Sequence, residues 1–220
     1  MHHELEAVAD PAAVARTGAA FVATCARRAV DASGRFDFAV SGGHTPWAMF
    51  AELASETVPW QSVVIYQVDE RVAPPDDPDR NLHHLREALG SAPARVVAMP
   101  VNDDDLTAAA ASYAGGLPEH FDLVHLGLGP DGHTASLVPG DPVLEVEDRL
   151  VALTQPYQGR VRMTLTYPAL ARARQILWLV TGSDKKVPLA QLLAGDTSIP
   201  AGRVQADASL VLADAAAAGT

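Results

Sequence analysis

The 220-residue chain contains a single cysteine, Cys25, and only two lysines, Lys185 and Lys186. One cysteine excludes an intrachain disulfide and a thiolate metal cluster, and on its alanine-rich stretch it is most simply a small buried hydrophobe. No apolar run approaches the roughly 20 residues that a bilayer span needs. The first residues also lack the basic and apolar regions of a secretory signal. We therefore expect a cytoplasmic protein with no membrane partner.

Positive charge is also scarce, because 27 acidic residues stand against 16 basic ones and the formal net charge is −11. Such a field repels nucleic acid unless basic groups are concentrated in one place. Here they occur only in small pairs such as Arg27-Arg28. Nucleic acid is thus not an expected partner, and the rare lysine pair at 185–186 becomes a candidate for binding a small anion.

The order of the elements predicts a single α/β domain. Apolar strands alternate with helices, which is typical of a mostly parallel, doubly wound sheet with helices on both faces. We expect this domain to span residues 1–213, and the alanine-rich tail at 214–220 to fray. The main predicted strands are 36–40, 63–68, 123–128 and 176–181, and the main predicted helices are 11–31, 46–56, 81–89 and 184–194.

The most informative segment is 122–140, where an apolar run stops in a glycine-rich turn that ends on His133. Gly127, Gly129 and Gly132 allow backbone shapes that side chains would forbid. His133 is therefore expected just beyond the carboxyl end of a strand, where open α/β sheets bind small molecules. The alternative is a hydrogen-bonded loop histidine with no role in chemistry.

A second glycine-rich loop follows the strand at 36–40. Helix-start amides there would favour a phosphate or another anion, although an ordinary capped strand-to-helix turn has the same pattern. Thr45 can cap the next helix, and Pro46 suits its first turn. The loop reads Ser41, Gly42, Gly43, His44, Thr45 and Pro46.

Charged residues follow two further strands. Asp69, Glu70 and Arg71 come directly after the strand at 63–68, and such charges are costly to bury unless they pair with each other or with a ligand. Lys185 follows the strand at 176–181, in the expected first turn of a helix, where the helix dipole disfavours a cation. An anion bound beside Lys185 would offset its unfavourable interaction with the helix dipole. For both Asp69–Arg71 and Lys185, the alternative is a charged turn exposed to solvent.

Together these motifs resemble the 6-phosphogluconolactonase family of the sugar-phosphate isomerase superfamily. The resemblance covers about residues 10–205, and Asp131-Gly-His-Thr-Ala-Ser-Leu137 is its most specific part. Related glucosamine-6-phosphate deaminases usually read Asp-Gly-His-Ile-Ala-Phe-Asn there. The other matching stretches are Ser41-Gly-Gly-His-Thr-Pro46, Asp69-Glu-Arg71, Pro74-Pro-Asp-Asp-Pro-Asp79 with Asn81, and Arg162-Met-Thr-Leu-Thr166.

Three residues depart from the family pattern. His44 stands where the family often has serine, Val138 where phenylalanine is usual, and Arg80 where a serine usually precedes the asparagine. None of the three removes a group that the chemistry must have. His44 and Arg80 bear instead on the details of ligand contact.

The resemblance implies hydrolysis of 6-phospho-D-glucono-1,5-lactone to 6-phosphogluconate, in the oxidative pentose phosphate pathway. A lactone ester needs a water molecule activated by a base, and histidine suits that role at neutral pH. We assign the base to His133, with Asp131 either orienting the imidazole or shaping the turn. Arg71 or backbone amides would stabilise the oxyanion, and Arg71 is also a candidate to bind the phosphate. The remaining predicted substrate- and phosphate-binding residues are Ser41, Gly42, Gly43, His44, Thr45, Asp69, Glu70, Gly129, Arg162 and Lys185.

We predict no cofactor and no metal, since the eight histidines show no ligand spacing such as His-Glu-x-x-His. The expected partner is the small sugar phosphate alone, bound to a monomer or a small homo-oligomer. Gly127-Leu-Gly-Pro-Asp-Gly132 matches a dinucleotide fingerprint, but Pro130 and Pro139 leave little room for the helix that should follow. A non-catalytic sugar-phosphate sensor is the other alternative, and turnover rather than binding separates it from an enzyme.

Overall fold

Two sheets organise the chain in a computed structural model that describes residues 2–219. Their strands, in chain order, are β1 (Glu4–Val8), β2 (Phe36–Val40), β3 (Val63–Gln67), β4 (Asp69–Arg71), β5 (Arg95–Val97), β6 (Leu123–Gly127), β7 (Val151–Leu153), β8 (Arg162–Leu165), β9 (Gln175–Val180) and β10 (Ala208–Asp214). The helices are α1 (Pro11–Ser33), α2 (His44–Leu53), α3 (Asn81–Leu89), α4 (Leu106–Gly115), α5 (Tyr167–Leu170), α6 (Lys186–Leu193) and α7 (Ala215–Ala218).

The larger sheet has seven strands in the order β1-β10-β9-β6-β2-β3-β5, and each neighbouring pair is parallel. Alternate side chains of its central strands enter two hydrophobic clusters, one on each face. Helices α1, α2 and α3 cover one face, while α4, α6 and the smaller sheet cover the other. The strands are apolar on both faces for this reason. The predicted fold class is confirmed.

The strand order reverses between β2 and β6, which are neighbours in the sheet. From β2 the chain continues outward to β3 and β5, whereas from β6 it continues the other way to β9 and β10. The loops that leave β2 and β6 therefore diverge and open a crevice between them. Ligands of open α/β sheets bind at such a point.

The smaller sheet has three antiparallel strands in the order β4-β8-β7. Its first strand contains Asp69, Glu70 and Arg71, which the sequence alone indicated as a charged strand end rather than a strand. The main chain passes from one sheet to the other at Val68, whose amide donates to Val40 of β2 and whose carbonyl accepts from Leu165 of β8. This switch places β4 beside the crevice.

Three other segments differ from expectation. The exposed strand β1 was not predicted, and α2 begins at His44, two residues before the predicted start. Lys185 closes a 3-10 turn, Ser183–Lys185, and stands at the N-cap of α6 instead of in its first turn. The alanine-rich tail contains the one-turn helix α7, and its fraying stays a prediction. Among the described helices, none has the length and apolar character to cross a bilayer.

Candidate active site

A cavity of about 460 Å³ lies at the carboxyl ends of the strands, over the crevice between β2 and β6. It brings together residues from both sheets and from all the predicted loops. Two predicted residues, Glu70 and Asp131, do not line it. The predicted residues that do are Ser41, Gly42, Gly43, His44, Thr45, Asp69, Arg71, Gly129, His133, Arg162 and Lys185.

His133 is held by a tight turn that follows β6. The Gly129 amide donates to the His133 carbonyl over 2.8 Å, and the Thr134 hydroxyl donates to the Gly127 carbonyl over 2.8 Å. The imidazole lies directly over Gly129, where a Cβ atom would come within 2.1 Å of its Nδ1 atom. Glycine at 129 is thus required for the ring to occupy this position.

Asp131 fixes one side of that imidazole. Its Oδ1 atom lies 2.5 Å from His133 Nδ1 and also accepts from the His133 amide over 3.2 Å. Partial burial raises the pKa of Asp131, but the hydrogen bonds from His133 outweigh burial and hold this pKa below its ordinary value. An ionised Asp131 favours the tautomer that carries its proton on Nδ1, which leaves Nε2 free to accept one.

The loop between β2 and the start of α2 lines the cavity. The helix has Gly43 as its N-cap, with φ 135°, and no side chain caps its first amides. Thr45, expected to cap the helix, instead shares a hydrogen bond with the Thr181 hydroxyl over 2.9 Å. Within residues 2–219 the buried Ser41 hydroxyl finds no hydrogen-bond partner. Uncapped amides and a free hydroxyl together suit a bound anion.

Two arginines enter the cavity from the smaller sheet. Arg71 Nη1 donates to the Asp79 carbonyl over 2.9 Å and to the Asn81 side chain. Arg162 Nη2 donates to Gln158 Oε1 over 3.1 Å, while its buried Nε has no partner among the described residues. Both guanidinium groups therefore keep donor capacity for a ligand.

The Asp69 carboxylate is buried beside these arginines. Burial raises its pKa above the ordinary value, although the 2.7 Å hydrogen bond from the Ser136 hydroxyl and the charges of Arg71 and Arg162 act in the opposite direction. This side of the cavity therefore combines two arginines with a buried carboxyl group. Such a set can contact both a phosphate and the hydroxyls of a sugar.

Glu70 is fully buried behind the cavity, and its carboxylate is occupied by protein donors. It accepts from the amides of Arg71, Asn81 and Leu82 over 2.8–2.9 Å, and Arg80 Nε lies 3.1 Å from it. Glu70 was predicted to contact the ligand, and in the structure its carboxylate faces these protein donors and does not line the cavity. Glu70 instead fastens the start of α3 to β4. Arg80, one of the departures from the family pattern, completes this buried ion pair.

Lys185 reaches the cavity from the loop after β9. Its Nζ atom lies 2.9 Å from Asp184 Oδ2, and its side chain is largely buried. The Gly182 amide, at φ 101°, donates to both oxygens of buried Asp214 over 3.1 Å. Asp214 thereby anchors the turn that carries Lys185.

Asn81, Thr181 and Tyr157 contact the site and were not among the predicted residues. Asn81 and Thr181 line the cavity, and Tyr157 packs against His133. Asn81 packs so closely on Gly42 that a Cβ atom there would lie 2.0 Å from its Oδ1 atom. The motif that carries Asn81 could have indicated it, but Tyr157 lies in an irregular turn with no comparable signal. In the part of the chain that the structure describes, no cluster of three or more His, Cys, Asp or Glu side chains could hold a metal ion.

Comparison with known proteins gives consistent matches over nearly the whole chain. The family model described as glucosamine-6-phosphate isomerases/6-phosphogluconolactonase matches residues 9–212. A 6-phosphogluconolactonase of Nostoc sp. is 32% identical, over 99% of this chain and 98% of the relative. One of Streptomyces coelicolor is 34% identical, over 95% and 85%. The crystal structure of a 6-phosphogluconolactonase from Shewanella baltica superposes with a TM-score of 0.87 at 28% identity, over 97% and 98% of the two chains.

Proposed function

The chain belongs to the family of glucosamine-6-phosphate isomerases and 6-phosphogluconolactonases, and on this premise we propose that it hydrolyses 6-phospho-D-glucono-1,5-lactone to 6-phosphogluconate. The observation that carries the proposal is the meeting of a His133–Asp131 pair with Arg71, Arg162 and Lys185 at one cavity. One group there can activate water, and the others can hold a phosphorylated substrate. This reaction is the lactone-opening step of the oxidative pentose phosphate pathway.

His133 is the general base in this proposal. Its Nε2 atom takes a proton from a water molecule while the water oxygen attacks C1 of the lactone. The bond between C1 and the ring oxygen then breaks, and the imidazolium returns the proton to the departing alkoxide. Asp131 holds the imidazole in the tautomer that accepts the proton and stabilises the imidazolium.

The anionic groups of the substrate and of the transition state are assigned to the donors described above. The oxyanion on C1 requires donors that are in place before the reaction, and Arg71 or backbone amides of the glycine-rich loops supply them. The phosphate is assigned to the Ser41–Thr45 loop, Arg71, Lys185 and Arg162. Asp69 faces the same cavity and is assigned to the sugar hydroxyls. The nucleophile is water, so the reaction requires no cofactor.

A coupled assay with freshly generated lactone tests the proposal directly. The protein should raise the rate of 6-phosphogluconate formation well above spontaneous hydrolysis, and the His133→Asn variant should not. Binding of 6-phosphogluconate without turnover would identify a sugar-phosphate sensor instead. We further propose that the protein acts in the cytoplasm, where a charged sugar phosphate is retained, as a monomer or a small homo-oligomer.

A further inference from the structure

The turn between β7 and β8 contacts two residues that line the cavity, His133 and Arg162, without being part of the strand-end loops. Tyr157 and Arg160 pair through two backbone hydrogen bonds of 2.9 and 3.2 Å. Between them, Gln158 and Gly159 both have positive φ, at 52° and 80°. Positive φ at both central residues is the geometry of the tightest hairpin connections. The direction of the Tyr157 side chain is thus set by the turn.

Tyr157 contacts two residues of the cavity at once. Its ring meets the imidazole of His133 edge to face, with centroids 5.7 Å apart and an interplanar angle of 65°. The guanidinium carbon of Arg162 lies 5.0 Å from the centroid of the same ring. Both contacts have the geometry that aromatic rings favour with another ring and with a cation.

Arg160 of this turn also forms ion pairs with the loop that follows β4, the strand that carries Arg71. Arg160 Nη2 lies 2.8 Å from Asp77 Oδ2 and 3.4 Å from Asp79 Oδ2. The carbonyl of Asp79 in turn accepts from Arg71. The turn is thus linked to Arg71 through Asp79, and to Arg162 through the hydrogen bond with Gln158.

We propose that Tyr157 is a positioning residue that sets the planes of the His133 imidazole and the Arg162 guanidinium, an inference that rests on the proposed lactone hydrolysis. The hydrogen bond from Nδ1 to Asp131 fixes a distance but not the tilt of the ring about that bond. The Tyr157 ring restricts this tilt and directs Nε2 into the cavity. The cation–π contact does the same for the guanidinium of Arg162, whose Nε has no hydrogen-bond partner among residues 2–219.

Substitutions that remove or keep the aromatic ring of Tyr157 distinguish a positioning role of the ring from a chemical role of the tyrosine hydroxyl. In Tyr157→Leu, kcat for the phosphorylated lactone should fall about tenfold or more, because small misplacements of reacting groups are costly. Tyr157→Phe keeps the ring and should retain activity within about twofold. Tyr157→Met serves the same purpose as the leucine variant should that variant fail to fold. The matched control is Tyr167→Leu, which removes a similar cation–π contact with Arg203 outside the cavity and should leave kcat unchanged.

The NMR signal of the His133 Cε1–H group tests positioning even if the protein does not turn over the lactone. The signal is assigned by its loss in His133→Asn. It should move in Tyr157→Leu, because the neighbouring ring current is lost, and stay in Tyr157→Phe. An unmoved signal with unchanged kcat in Tyr157→Leu would overturn the inference. Equal loss of kcat in the Phe and Leu variants would also overturn it, since the hydroxyl would then be the active group.

Discussion

Arg71 and Arg162 are direct partners across the antiparallel pair of strands β4 and β8. Two like charges placed opposite each other destabilise a sheet. Asp69 is a buried carboxyl group that lies close to both of them, and burial favours its neutral form. The remaining positive charge is directed at the cavity, where a bound dianion would neutralise it.

We first predict that the cations of the cavity discriminate phosphorylated from unphosphorylated substrate. Arg71→Ala or Lys185→Ala should raise KM about 10- to 100-fold for the phosphorylated lactone, since each loses a charge-assisted contact of about 1.5–3 kcal/mol. KM for gluconolactone should change little. Lys186→Ala is the matched control, because Lys186 is exposed and does not line the cavity. Equal losses on both substrates would assign the residue to the fold or to the lactone ring.

The second prediction concerns His133 as the base. His133→Ala or His133→Asn should lower kcat about 10²- to 10⁴-fold with little change in KM, which is the usual effect of removing a general base. His120→Asn provides a control, because His120 is an exposed histidine near a carboxylate outside the cavity. Steady-state rates must be corrected for spontaneous hydrolysis of the lactone. Activity within a few-fold of the native rate would remove His133 from this role.

The third prediction follows from the contact between Gly129 and the imidazole. In Gly129→Ala the new methyl group would lie 2.1 Å from His133 Nδ1, so the ring must leave its position. We expect kcat to fall about 100-fold, as a misplacement of about 1 Å can cost this much. Gly115→Ala is the control, since a Cβ atom at 115 meets nothing within 4 Å. Native kcat in the Gly129→Ala variant would show that the turn tolerates a displaced imidazole.

The fourth prediction concerns buried His125, which lies in β6 below the cavity. Burial lowers its pKa from 6.5 to about 3, and neither ring nitrogen finds a hydrogen-bond partner among the described residues. Between these two pKa values the unfolded chain binds a proton that the folded protein does not. The free energy of unfolding should therefore fall as pH falls below 6.5, by up to about 1.4 kcal/mol per pH unit.

Urea denaturation at several pH values between 7.5 and 4.5 measures that slope. His125→Leu should flatten it, whatever the effect of the substitution on stability at pH 7.5. His120→Asn, which alters an exposed histidine, should leave the slope as it is in the native protein. An unchanged slope in His125→Leu would assign the acid sensitivity to other groups.

Much of the site could be predicted from the sequence because it depends on a local rule. In a parallel sheet, residues that follow consecutive strands meet at one edge. The rule located His133, the Ser41–Thr45 loop and Lys185 without knowledge of the strand order. Local backbone geometry also explains two glycines of these loops, since Gly43 and Gly132 both have positive φ.

The remaining features depend on contacts between distant parts of the chain. Strand β4 forms only because it pairs with β8, and Arg71 and Arg162 are 91 residues apart in the sequence. From the sequence, Glu70 cannot be told from a ligand-binding carboxylate, because the amides of Asn81 and Leu82 that bind it come from α3. Tyr157 lies in a turn with no periodic pattern, and its contact with His133 requires both loops to be folded.

The division of the cavity between two sheets has a consequence for redesign. The His133 turn follows the larger sheet, whereas Arg71 and Arg162 come from the smaller one. The segment that holds the base and the segments that carry these guanidinium groups are thus separate pieces of the polypeptide. Anion preference can be altered in β4 and β8 while the turn around Gly129 stays intact. Because Tyr157 contacts both His133 and Arg162, a redesign of anion preference that retains reactivity has to keep this ring in place.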